Sequence, residues 1–166
     1  VYLHKTSICA ETMLVLIIRR ARELCRSGSR VYATPALELF MHDEVTIEEF
    51  NANPDYLDAF AQLDDYDLWG AVKQWAHHPD KILRNLSRML LERRLFKITL
   101  SNQPIEAPVL NLLRRELRGR PGVTDDDVNY LLVEGSTTNA AYVSNRQHIR
   151  VLTKDRRAVD IAEASD

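Results

Sequence analysis

Apolar side chains recur at Ile8, Met13, Leu16, Ile17, Ala21 and Leu24, the three-to-four-residue return of one helix face. The pattern predicts a helix from Tyr2 to Arg26, with Gly28 as its stop. After a linker around Ser27 to Thr34, Pro35 opens a short helix over Ala36 to Met41. Thr46-Ile47-Glu48-Glu49 has the spacing of a capping box, so another short helix starts there. Asn53-Pro54 places an N-cap before a proline at the first helical position and opens Asp55 to Leu63. Asp64-Asp65 caps a helix running through Trp69, Val72 and Trp75. His78-Pro79 then opens a longer one, Asp80 to Arg93, with Ile82, Leu83, Leu86, Met89 and Leu90 on one face.

The pattern changes after Arg94. Leu95 to Leu100 suits a strand, and Pro104 to Arg118 a helix ended by Gly119 and Pro121-Gly122. Asn129 to Val133 and His148 to Leu152 read as strands, Tyr142-Val143 as part of a third, and Arg157 to Ala164 as a closing helix. The expected fold class is therefore α+β: a helical bundle over residues 1–94, then a small β-α-β-β-α layer with an antiparallel sheet over 95–166.

Composition adds exclusions. With 166 residues, 45% hydrophobic and 28% charged, the chain can bury a real core. A net charge of -2 gives no global pull toward nucleic acid or anionic membrane. Cys9 and Cys25 lie on one expected helix, too far apart to bond, and neither has a CxxC partner; they read as reduced packing thiols of a cytoplasmic protein. The apolar run Met13 to Ile18 is much shorter than a membrane span, and no small-residue cleavage site follows it. The first residues, Val1-Tyr2-Leu3-His4-Lys5, offer no capping residue for the helix they enter, so the expectation is that polypeptide preceded Val1.

Several residues invite a chemical reading. His42-Asp43 is the chain's one His-Asp dipeptide, a pair that supplies metal ligands in a large class of phosphohydrolases, but it falls between two short helices, where Asp43 and Glu44 suit a solvated turn. His77-His78-Pro79-Asp80 lacks a third ligand at metal spacing; His77 suits the end of one helix and Asp80 the start of the next. Asp64, Asp65 and Asp67 suit a helix N-terminus better than a cation loop. The arginine clusters Arg19-Arg20-Arg22 and Arg114-Arg115-Arg118-Arg120 read as wet helix faces. Arg93 and Lys97 differ, because they bracket a helix-to-strand junction beside apolar Leu95 and Phe96, where fixed cations can grip a polyphosphate.

Two stretches, VYLHKTSICAETML and FAQLDDYDLWGAVKQWAHHPDKILRNLSRMLLERRLFKI, resemble the C-terminal half of HD-domain deoxynucleoside triphosphate triphosphohydrolases, the family of the sterile-alpha-motif and HD-domain enzyme and its bacterial relatives. Weaker similarity continues through NYLLVEG and SNRQHIRVLTKDRR, while Arg30 to Asn53 matches a variable connector. The resemblance implies that the metal-binding His, His-Asp and Asp set lies upstream of Val1, so this chain is expected to hold no catalytic residue and no metal ligand. It implies that Tyr2 packs on the substrate nucleotide, that His4 and Lys5 meet the phosphates of a regulatory nucleotide, and that Arg93, Leu95 and Lys97 line regulatory nucleotide pockets. Thr6 and Arg94 depart from the animal enzyme, which has an apolar residue and an asparagine there.

The expected function is then that of a C-terminal segment of a divalent-metal-dependent HD-domain phosphohydrolase, one that converts a dNTP to deoxynucleoside and tripolyphosphate. The segment would supply a pocket wall, nucleotide contacts and an oligomer interface, and would be inactive without the upstream half. The expected partners are a nucleoside triphosphate, that upstream half and further copies of the chain; nucleic acid and membrane are not expected. The rival reading is a non-catalytic helical oligomerisation module.

Overall fold

The structure, a computed structural model, describes residues 5–42, 45–99, 101, 104–135, 150–152 and 158–160. The chain separates into two compact units, one spanning His4–Val133 and one containing Glu134–Asp166.

Among its described residues the first unit holds eight helices: α1 (Lys5–Arg26), α2 (Pro35–His42), α3 (Ile47–Ala52), α4 (Pro54–Gln62), α5 (Asp65–Trp75), α6 (Lys81–Leu91), α7 (Ala107–Arg118) and α8 (Asp125–Leu131). Their starts follow the capping chemistry of the sequence. Thr46 and Asp64 close capping boxes with Glu49 and Asp67, Asn53 caps α4 ahead of Pro54, and Asp80 caps α6 through a 2.8 Å bond from the Leu83 N–H. The acidic cluster at 64–67 is thus occupied with a helix start, since Asp64 Oδ1 accepts from the Tyr66 and Asp67 amides.

The core forms where α1, α5 and α6 meet. Met13, Leu16, Ile17 and Ala21 of α1 are buried against Ala71, Val72 and Trp75 of α5 and Leu83, Leu86 and Leu90 of α6, with Leu37 and Met41 of α2 closing one side. Each large apolar side chain buried this way contributes about 1.5–3 kcal/mol. Trp75 also donates its indole N–H to the Tyr32 carbonyl at 2.8 Å, which pins the 28–34 connector to the core. Cys9 and Cys25 are buried free thiols on α1. No helix among the described residues is long and apolar enough to cross a membrane.

The α+β expectation is corrected by this architecture: the fold is helical, and the first unit holds no strand among the described residues. Asn129–Val133, expected as a strand, belongs largely to α8. Thr124 closes a capping box with Asp127 there, three aspartates occupy the first turn, and this N-terminal chemistry outweighs the strand-like run of Tyr130 to Val133. Leu95 to Thr99 is irregular backbone, because among the described residues no strand lies beside it to accept its hydrogen bonds. The one pairing among the described residues, in the second unit, is a ladder of three residues per strand, β1 (Arg150–Leu152) antiparallel to β2 (Ala158–Asp160). β1 agrees with the end of the expected His148–Leu152 strand. β2 falls where a helix over Arg157–Ala164 was expected, and pairing with β1 decides its conformation. Tyr142-Val143 lies outside the described residues.

Candidate functional site

The antiparallel relation of α1 and α6 organises the candidate residues. Arg20, late in α1, meets Asp80 at the start of α6, whereas Cys9, early in α1, donates its thiol to the Phe96 carbonyl beyond the end of α6 at 3.2 Å. One end of the helix pair therefore carries the first turns of α1 together with the segment leaving α6.

That end collects three of the cations singled out in the sequence. Lys5 stands one turn before Cys9, roughly 6 Å along the helix axis, and is exposed. Lys97 follows Phe96 directly and is exposed too. Arg93 sits at the exit of α6 with φ 57°, the one non-glycine residue with positive φ among the described residues. The exit is a Schellman motif, in which the Arg94 N–H returns to the Met89 carbonyl at 2.8 Å and the Arg93 N–H to the Leu90 carbonyl at 3.1 Å. Leu95 and Phe96 are half-buried against the core and, with the Cys9 thiol, fix the path of the segment. Tyr2 and His4 lie outside the described residues.

Among the described residues, the charge at this end has no carboxylate partner for three of its cations. Glu92 pairs with Arg94 at 2.6 Å, and neither Lys5, Arg93 nor Lys97 makes an ion pair among the described residues. Exposed cations on a fixed backbone suit phosphate oxygens, Arg as a fork and Lys as a point charge. None of the three lines the cleft beside Trp75 and His78 or the one between Lys81 and Tyr130, and all three are exposed, an open rim that can face a polyphosphate from one side.

The other end of the helix pair is neutralised. Arg20 Nε and Nη2 donate to Asp80 Oδ1 and Oδ2 at 3.2 and 2.7 Å, and Arg20 also reaches Glu23 at 3.2 Å. Burial opposes the charge on Asp80, yet the bonds from Arg20 and the Leu83 amide outweigh it and hold the carboxyl below its usual range. His78 Nδ1 accepts the Asp80 N–H at 3.0 Å, so its Nε2 carries the proton and donates to the Arg30 carbonyl at 3.1 Å. Beside this network lies a cleft of about 510 Å³, lined by Arg30, Tyr32, Glu38, Gln74, His77 and His78 among others. Arg19 and Arg20 stack on the Tyr130 ring at 4.6 and 5.7 Å. The first arginine cluster is consequently more than a wet face. Its partner stands 60 residues away in sequence, and no local pattern marks such a pair.

No three His, Cys, Asp or Glu side chains among the described residues stand together so as to hold a metal ion. His42 is exposed at the last position of α2, and Asp43 lies outside the described residues. The described residues do not fit a metal centre.

The whole chain matches part of a crystal structure of a phosphohydrolase from Bacteroides thetaiotaomicron, with a TM-score of 0.81 and 39% sequence identity, covering 100% of this chain and 41% of that one. The chain therefore spans about two fifths of that protein's length and is related to that part of it in both sequence and fold. No protein-family model matches the sequence, and no curated protein matches it.

Proposed function

We propose that this chain is the C-terminal segment of an HD-domain phosphohydrolase acting on deoxynucleoside triphosphates, and that it serves binding and assembly rather than bond cleavage. The observation that carries the proposal is the rim of Lys5, Arg93 and Lys97, three exposed cations without carboxylate partners among the described residues, gathered at one end of the α1–α6 pair. Similarity to a phosphohydrolase over the full chain supports the general reaction class.

In this reading the rim holds the phosphates of a regulatory nucleotide, His4 adds a further phosphate contact, Leu95 lines the pocket, and Tyr2 packs on the substrate. The divalent metal belongs to an upstream half with its own ligands. There it would lower the pKa of the attacking water and neutralise charge at the phosphorus. Release of tripolyphosphate from dGTP then needs both halves.

Calorimetric titration of the chain with tripolyphosphate and with dGTP tests the rim. Binding that weakens in Lys97→Glu and Arg93→Glu supports the reading, and affinities indifferent to both charge reversals overturn it. Hydrolysis of dGTP by this chain alone, with a divalent metal added, would overturn the division of labour.

A further inference from the structure

The cleft of about 510 Å³ beside Trp75 has fixed walls. His78 Nε2 holds the Arg30 carbonyl at 3.1 Å and Trp75 Nε1 holds the Tyr32 carbonyl at 2.8 Å, so residues 30–32 are tied to the core at two points. The turn between α5 and α6, which supplies more of the lining, is held from α6. Arg84 Nη1 donates to the His78 and Pro79 carbonyls at 2.8 and 2.7 Å, and Arg88 Nε to the Ala76 carbonyl at 2.8 Å. The volume falls within the range of small-molecule sites, about 300–1,000 Å³.

The lining divides into committed and free groups. The Trp75 N–H and both ring nitrogens of His78 already serve the fold. Arg30, Glu38, Gln74 and His77 are exposed, and their side chains make no hydrogen bond or ion pair among the described residues. Arg30 and Glu38 thus bring opposite charges to one cleft without closing on each other. Tyr32, 49% exposed, adds aromatic surface. A polyphosphate would meet the Glu38 carboxylate here, and a simple cation would meet the Arg30 guanidinium. A ligand that carries both signs, held apart by a spacer, satisfies both.

We infer that this cleft binds a small zwitterion of dipeptide length, with its carboxylate on Arg30 and its ammonium on Glu38. Arg30 offers the planar fork that matches a carboxylate, and Glu38 accepts from an ammonium. Gln74 and His77 supply hydrogen-bonding groups for the polar atoms between the ends. Each residue of an extended ligand spans about 3.3–3.6 Å, so two residues hold the charged ends about 7 Å apart. A free α-amino acid holds its two charges too close together to span groups that share a cleft without pairing. Fixed walls leave only the ligand to be ordered on binding. The site lies at the Asp80 end of the α1–α6 pair, away from Lys5, Arg93 and Lys97, and is independent of phosphate binding there.

Titration of the full 166-residue chain with glycylglycine, followed by proton–nitrogen correlation NMR, tests this. The indole N–H signal of Trp75 should shift saturably, with a Kd of about 1–10 mM, while that of Trp69, which does not line the cleft, stays in place. Glycylglycinamide lacks the carboxylate and N-acetylglycylglycine lacks the ammonium. Each should bind about three- to five-fold more weakly, the size of one exposed charge contact. Arg30→Gln should no longer distinguish glycylglycine from its amide, and Glu38→Gln should no longer distinguish it from the acetylated form. Both side chains are exposed, so both variants should keep the parent's fold. δ-Aminovalerate, of the same length without a peptide bond, separates the sources: equal affinity assigns recognition to the charged ends alone, and weaker binding adds the peptide group. No saturable shift of Trp75, blocked forms that bind like glycylglycine, or variants that discriminate as the parent does would each overturn the inference.

Discussion

The two ends of the α1–α6 pair are made from the same two helices and treat charge in opposite ways. At one end Arg20 and Asp80 close a two-pronged ion pair, the carboxylate also caps α6, and α1 leaves through Gly28 at φ 81°. At the other, Lys5, Arg93 and Lys97 are exposed without carboxylate partners among the described residues, and α6 leaves through Arg93 at φ 57°. The first end satisfies its own groups and serves stability. The second has exposed cations without carboxylate partners among the described residues and holds one of them in a backbone region that suits glycine, a combination associated with binding sites.

Removing Asp80 should break the comparison most severely. Asp80→Ala takes away a helix cap and leaves the half-buried Arg20 without its main partner, an expected loss of about 3 kcal/mol in urea denaturation. Asp80→Asn keeps a capping side chain and should cost about half as much. The same carboxyl sets a pH dependence. Its folded pKa lies below the ordinary value, so its contribution is complete above about pH 4 and is lost as pH falls through the lower folded value. Asp127 acts in the same direction; burial opposes its charge, and bonds from the Thr124 amide and hydroxyl and from Lys81 outweigh that. Stability measured from about pH 6 down to about pH 3 should fall less steeply in Asp80→Asn than in the parent. Parallel curves would mean that the Arg20–Asp80 pair is energetically idle.

How much of this was legible depended on the reach of each signal. Caps act within four residues, so Thr46, Asn53, Asp64 and Asp80 could be read as helix starts from the sequence, and the structure agrees. Strands need partners distant in sequence. Leu95 to Thr99 has strand-forming side chains but no adjoining strand among the described residues, and the run after Asn129 was claimed by the cap at Thr124. In the candidate site, Arg93 and Lys97 were visible as cations beside an apolar anchor. The Arg20–Asp80 pair, the Cys9–Phe96 tether and the left-handed turn at Arg93 were not, since each is decided by how α1 and α6 lie together.

Charge reversal probes the other end. A charge-assisted bond to phosphate is worth about 1.5–3 kcal/mol, so Arg93→Glu and Lys97→Glu should each weaken tripolyphosphate binding about ten-fold or more in calorimetry. Both side chains are exposed, and stability should move by less than about 0.5 kcal/mol. Stability loss without affinity loss would assign these residues to the fold and not to a ligand.

The sharpest version of the comparison exchanges the residues that end the two helices. Gly28 and Arg93 hold the same place in two Schellman motifs, since the Ser29 N–H returns to Leu24 as the Arg94 N–H returns to Met89. A side chain added at Gly28 would meet nothing within 4 Å, so Gly28→Ala isolates the backbone penalty, about 1 kcal/mol of lost stability. Arg93→Gly relieves that same penalty and should gain about 1 kcal/mol, less what glycine's freedom adds to the unfolded chain. The gain should come with weakened tripolyphosphate binding, because the guanidinium goes with the strain. A stabilised variant that binds as well as the parent would mean that the arginine at this turn is tolerated and not used. A variant with no gain would mean that the left-handed turn at Arg93 is already relieved by its surroundings, and strain would then cease to distinguish the two ends.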